Sequence, residues 1–249
     1  MKYIYQSDKG KIRELNEDAV AIIEKEKAIL AIVADGMGGH RAGDVASQLA
    51  IEELEKYWLA FEETLATAPL EKWLKDTIIE VNNIVYQKSQ SDPECKGMGT
   101  TIVAAICTED DLIIGHIGDS RAYLLNETEW KQVTDDHSLV GELVRTGQLS
   151  QEDAEVHPRR NVILKALGTE LNLEPDMYVT NWDQFNRLLI CSDGLTNKLT
   201  GQELHKIIVE TNNKKISQTL IDLANNRGGE DNITLAVIDL RDKVGDPSC

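Results

Sequence analysis

Apolar runs of strand length recur along the chain: Ala28–Ala34, Thr101–Cys107, Leu112–Ile117, Arg121–Leu125, Leu188–Cys191 and Ile233–Leu240. Most are rich in Ile, Val and Leu and close on Gly, Asp or Asn, the pattern of strands buried on both faces. A shorter strand is expected around Val20. Between the early and middle runs the apolar spacing changes to three and four residues. Ala46, Leu49, Ala50, Leu54 and Tyr57 mark one helix, and Leu70, Trp73, Leu74, Thr77, Ile78, Val81 and Val85 mark a second. Each carries one apolar stripe to lay on a sheet. A third helix is predicted to start at Thr200, where Thr200-Gly201-Gln202-Glu203 has the form of a capping box. A fourth runs through Ile216, Leu220, Leu223 and Ala224.

From Thr134 to about Arg160 the chain turns polar and loses its period. Gly141, Gly147, a helix cap at Ser150 and Pro158 predict a short helical excursion on the surface, and an insert of this length in a compact domain is usually functional or mobile. Strands, two helices, a block of strands, the excursion, then further strands and helices do not alternate as a βαβ chain does. The expected class is therefore α+β: a central β-sandwich of two mainly antiparallel sheets, with helices on both outer faces. One domain is expected over residues 1–241, with the excursion at about 137–160 and a short tail at 242–249.

Hydrophobic residues make up 41% and charged residues 28% of the 249 positions, the mix of a globular chain and not of a disordered one. The formal charge of −17 makes general binding to nucleic acid unfavourable, because phosphates would be repelled. Cys95, Cys107, Cys191 and Cys249 are too far apart for a disulfide framework or a zinc site. Cys107 and Cys191 end apolar runs and read as small buried hydrophobes. No run approaches the roughly 18–20 apolar residues of a membrane span, and no charged-then-apolar leader is visible, so the expected setting is the cytoplasm, away from membranes.

What changes the picture is where the acids fall. Asp35 follows an apolar run and precedes Gly36; Asp193 follows another and precedes Gly194. Asp119 follows Leu112–Gly118, Asp231 lies just ahead of the run at Ile233, and Glu17 and Asp18 precede the strand around Val20. Any one of these is an ordinary turn. Together, acids at the ends of core strands can meet on one rim if the sheets pack face to face. Gathered carboxylates repel one another unless cations neutralise them, and oxygen donors select hard cations such as Mg²⁺ or Mn²⁺. Gly36 leaves its own carbonyl free to contribute.

The same residues carry a resemblance. Arg13-Glu14-Leu15-Asn16-Glu17-Asp18 and Val33-Ala34-Asp35-Gly36-Met37-Gly38-Gly39-His40 resemble the opening motifs of the PPM, or type 2C, protein serine/threonine phosphatases. The likeness continues through Gly99-Thr100-Thr101, Gly115-His116-Ile117-Gly118-Asp119-Ser120-Arg121, Thr134-Asp135-Asp136-His137-Ser138, Cys191-Ser192-Asp193-Gly194-Leu195 and Gly229-Glu230-Asp231-Asn232. The motifs run in the family's order over nearly the whole chain, as in compact bacterial members. The resemblance implies two cations, Mn²⁺ or Mg²⁺, at one rim of the sandwich. Asp35 would bridge them, Asp193 and Asp231 complete one site, and the Gly36 carbonyl belongs to the other, with Glu17 and Asp18 in or next to it. Asp119 matches the residue that helps hold a third, weaker cation beside the excursion, the family's flap.

Paired cations about 3.5–4 Å apart lower the pKa of a shared water, so the expected reaction is direct attack of hydroxide on phosphoserine or phosphothreonine. Arg13 would grip the phosphate through its two-pronged guanidinium. Its bland alternative is a surface salt bridge with Glu14 or Glu17. His40 would protonate the leaving alkoxide or hold the loop, and many eukaryotic members have a histidine where this chain has Met37. His116 and His137 read as structural. The implied partners are phosphorylated proteins, a serine/threonine kinase and its substrates among them, and a monomer is expected. Two other readings stand beside this one: an inactive phosphoprotein-binding regulator of the same fold, and an unrelated metal-dependent hydrolase of nucleotides or small phosphates.

Overall fold

The computed structural model of the chain describes residues 1–38, 42–62 and 65–240. His40, Cys249 and the expected tail at 242–249 lie outside them. In chain order the first half forms β1 (Lys2–Asp8), β2 (Asp18–Lys25), β3 (Ala28–Met37), α1 (Ala42–Ala60), α2 (Thr67–Ser91), β4 (Gly99–Thr100) and β5 (Ile102–Cys107). Next come β6 (Asp111–Ile117), β7 (Arg121–Leu125), β8 (Trp130–Gln132), α3 (Leu139–Arg145) and α4 (Gln151–Glu155). The last third holds β9 (Asp176–Asn181), β10 (Arg187–Cys191), α5 (Asp193–Thr196), α6 (Gly201–Glu210), α7 (Ile216–Asn226) and β11 (Ile233–Asp239).

Because side chains alternate across a strand, the apolar run of β3 serves two cores at once. Ile29, Ala31 and Val33 meet Ala122, Leu124, Leu188, Ile190, Ala236 and Ile238 in the layer between the sheets. Leu30, Ile32 and Ala34 point the other way, against Ala46, Leu54, Leu74 and Ile78 of α1 and α2. A third layer joins Leu189, Leu235 and Val237 to Leu204, Ile208, Leu220 and Ile221 of α6 and α7. The strand orders are β1-β11-β10-β7-β8 and β2-β3-β5-β6-β9, with β4 on β3, and the pairings are antiparallel. The architecture is the expected one: a β-sandwich of antiparallel sheets between two helical layers. Cys107 and Cys191 are fully buried within it, and no described helix is long and apolar enough to cross a membrane.

Local chemistry sets the ends of the elements. Thr200 Oγ1 accepts from the Glu203 N–H, and Glu203 Oε2 accepts from the Thr200 N–H at 3.0 Å, so the predicted capping box starts α6. Ser150 caps α4 as expected, and Ser138 caps α3 in the same way, its Oγ 3.0 Å from the Gly141 nitrogen. Between β8 and β9 the excursion leaves and returns to the sandwich through isolated bridges, Ser138 to Ile163 and Thr100 to Leu167. Two details differ from the sequence reading. Asp35 and Gly36 stay inside β3, because Asp18 and Thr100 pair with them. Asp193 opens a short helix and is not a free turn.

Candidate metal centre

Backbone pairing delivers the acids to one end of the sandwich. In the β2–β3 register Asp18 stands opposite Asp35. In the other sheet Cys191 pairs with Leu235, and the pairing extends one step, with the Ser192 N–H donating to the Thr234 carbonyl at 3.0 Å. Asp193 and Asp231 therefore leave β10 and enter β11 at the same edge. Side chains then tie the sheets together there. Ser192 Oγ donates to Asp18 Oδ2 at 2.7 Å, and Asn232 Oδ1 accepts from the Glu17 N–H at 2.8 Å. Asn232 also donates to the carbonyls of Lys9 and Leu15, both at 2.9 Å, and so holds the loop that carries Arg13.

Close backbone approach adds to this. A Cβ on Gly36 would lie 2.1 Å from the Gly43 carbonyl oxygen at the start of α1, and a Cβ on Gly194 would lie 1.9 Å from the Asn232 carbonyl oxygen. Only glycine lets these chain segments touch. Asp119 sits in the β6–β7 turn, next to Ser120, whose hydroxyl is 2.7 Å from Thr101 Oγ1; that oxygen in turn accepts the Asp35 N–H at 3.0 Å. Arg13 reaches the rim as well: its Nη2 lies 2.8 and 2.9 Å from the two oxygens of Asp231, and Nη1 lies 3.8 Å from Glu17. Of the salt bridges in the bland alternative, the one to Glu17 is present, but Asp231 is the nearer partner.

These carboxyls are costly to ionise together. Burial pushes Asp18 up to about 7; hydrogen bonds from Ser192 and Thr234 oppose this, and the charges of Asp193 and Asp231 add to it. Asp119 is pushed up to about 8 by burial, then by Asp193 and Asp136, against the pull of Arg121. Asp35 is held well above the usual range by burial and by Asp18, Asp193, Asp119 and Asp231 together. Asp193 and Glu17 are raised too, each chiefly by burial. That mutual influence places Asp18, Asp35, Asp119, Asp193 and Asp231 in one electrostatic neighbourhood. Among the described residues, however, no three acidic, histidine or cysteine side chains close around a single point as a finished ligand set.

Comparison with known proteins decides the family. The protein phosphatase 2C model matches residues 11–225. A serine/threonine phosphatase stp of Listeria monocytogenes is 44% identical over 248 residues, covering 98% of each chain. The crystal structure of Stp1, a serine/threonine phosphatase from Staphylococcus aureus, superposes with a TM-score of 0.91 at 37% identity, over 96% of this chain and 94% of that one. The chain belongs to the protein phosphatase 2C family. A third relative, the catalytic domain of the phosphatase PstP solved with two manganese ions, is similar at a TM-score of 0.82 and 33% identity, over 96% and 97% of the two chains.

For a protein phosphatase 2C chain, the donor set can be tested against cation binding on its own terms. Glu17 Oε1, Asp18 Oδ1 and Asp119 Oδ1 are buried without a hydrogen-bond partner. Such oxygens are normally satisfied, and a nearby cation would satisfy them while removing the repulsion that raises their neighbours. Every donor at the rim is oxygen, which suits Mg²⁺ or Mn²⁺. The residues fit. Asn232, Ser192 and Thr101 were not singled out from sequence, although each holds an acidic residue in place. Their signal was membership of the motifs quoted from the sequence, which said nothing of their partners, distant along the chain.

Proposed function

We propose that this chain is a metal-dependent protein phosphatase acting on phosphoserine and phosphothreonine. The observation that carries the proposal is that strand register and the bonds between the sheets bring Asp35, Asp193 and Asp231, from both sheets, to a single rim. Asp35, Asp193 and Asp231, with the Gly36 carbonyl, Asp119, Glu17 and Asp18, are the residues we assign to holding Mn²⁺ or Mg²⁺. Such cations, when bound, lower the pKa of water and offset the charge of a phosphoryl group.

The protein's own part is binding and placement. Arg13, 46% exposed and already at the rim, can exchange its contact with Asp231 for a phosphoryl group, whose oxygens match two guanidinium donors. His40 is assigned the proton that the leaving alkoxide requires. An inactive binder of the same fold would have no use for this set of ionisable groups, each placed at a cost. The catalytic unit is taken as 1–241 with a tail at 242–249, working as a monomer in the cytoplasm. Its substrates are phosphorylated proteins, a serine/threonine kinase and that kinase's targets among them.

Phosphate release from phosphothreonine peptides with and without Mn²⁺, set beside nucleotide substrates, tests the proposal. We expect turnover of the peptides that needs the added ion. Undiminished turnover after thorough chelation, or a preference for nucleotides, would overturn it.

A further inference from the structure

The turn that carries Asp119 is held by one side chain from the base of the excursion. His137 Nδ1 accepts the Gly118 N–H at 3.0 Å, and the His137 N–H donates to the Gly118 carbonyl at 2.8 Å. The carbonyl of the same histidine accepts the Leu164 N–H at 2.7 Å, at the far end of the excursion, and the Leu139 N–H closes onto the Val162 carbonyl at 2.8 Å. The turn before Asp119 and both ends of the excursion thus meet at a single residue.

The ring is fixed on its other sides. Its side chain is 9% exposed and packs against the fully buried His116, the rings tilted by 30° with centroids 4.8 Å apart. An accepting Nδ1 requires the proton on Nε2. Nε2 faces Asp176, 3.2 Å from Oδ2, at ion-pair distance but out of line for a hydrogen bond. Asp176 opens β9 opposite His116, and Lys165 Nζ lies 4.0 Å from its second oxygen.

We propose that His137, in its Nε2–H tautomer, is a positioning residue that locks the Gly118–Asp119 turn to both ends of the excursion, so that order in the excursion and placement of the Asp119 carboxylate are coupled. The consequence for cation binding rests on the role assigned to Asp119 above; the clamp itself does not.

Amide exchange in the full chain without added metal tests the clamp. His137→Asn keeps an oxygen at about the place of Nδ1, whereas His137→Gln moves its oxygen toward the place of Nε2. Exchange at Gly118 and Leu164 should stay near wild type in the Asn variant and speed up about tenfold in the Gln variant, the scale of one lost hydrogen bond. Acceleration at Gly118 alone, at neither amide, or equally in both variants overturns the coupling. A nitrogen NMR spectrum of the wild-type histidines, with His137 assigned by its contact to the Gly118 amide, gives a readout that needs no variant. An Nδ1–H tautomer or an imidazolium at neutral pH overturns the proposal. Calorimetric Mn²⁺ titration supplies the last arm, with Asp119→Ala as control. His137→Gln should weaken the loosest site about tenfold and leave the tight ones alone. If Asp119→Ala loses that site and His137→Gln keeps it, the coupling is wrong. If Asp119→Ala titrates as wild type, the role of Asp119 fails, and the exchange data still decide on His137.

Discussion

In the role proposed for it, Asp193 serves function at the expense of stability. Its carboxylate accepts from Asn197 Nδ2 at 2.9 Å, yet burial and Asp231 raise its pKa. An amide in its place would keep an acceptor for Asn197 and remove a charge that the rim resists. Asp193→Asn is therefore expected to lower hydrolysis of a chromogenic phosphate ester by at least about 100-fold, while the melting temperature of the metal-free protein stays level or rises. Near-normal turnover would remove Asp193 from the centre. At this scale the sequence was legible wherever an acid ended an apolar run, as at Asp35 and Asp193. It placed Ser192 and Asn232 in motifs but assigned them no role, because their partners Asp18 and Glu17 are about 170 and 215 positions away. Nothing local marks a serine or asparagine as the bolt between two sheets.

Among the elements, legibility divides by position in the sheet. The central strands β3, β5, β6, β7, β10 and β11 are buried on both faces and were visible as unbroken apolar runs. The strands at the sheet edges are β1, β8, β2 and β9; β1, β8 and β9 were not predicted, and β2 only as a short stretch around Val20. Edge strands keep one side in solvent and carry polar residues such as Gln6, Lys131 and Thr180, which break the apolar signal. The turn from β10 into α5 supports a prediction of its own. Gly194→Ala would drive a methyl group into the Asn232 backbone, and because that contact is to main chain and not to a flexible side chain, the strand ends must separate. We expect a loss of roughly 2–4 kcal/mol of stability and of nearly all activity. An alanine variant with wild-type melting and turnover would contradict the close packing of the two segments.

Over the whole molecule, the acidic rim should make stability depend on pH and on cations. Asp18 and Asp119, with pKa values of about 7 and about 8 in the folded chain, lie well above the usual carboxyl range. A carboxyl raised by folding binds its proton more tightly in the native state. Its contribution is therefore full below the unfolded pKa near 4 and is lost as pH rises through about 7–8. In chelator, the melting temperature should fall by roughly 5–10 °C between pH 5 and 8.5, and Mn²⁺ should restore it at the upper end. Asp18→Asn should flatten the slope, which separates this effect from general repulsion on a chain of net charge −17. A chelated protein whose melting point is level or climbs over that range would show that these acids do not share a crowded site.

By itself the sequence determined the α+β class, the two long helices, the capped start of α6 and which acids border core apolar runs. These follow from period, capping chemistry and burial, all of which act over a few neighbouring residues. Only the tertiary structure decided that Asp18 meets Ser192 and Glu17 meets Asn232, that Arg13 sits on Asp231, and that His137 holds the turn before Asp119. Each depends on register and on two sheets meeting face to face, and these bring together residues that no local pattern connects.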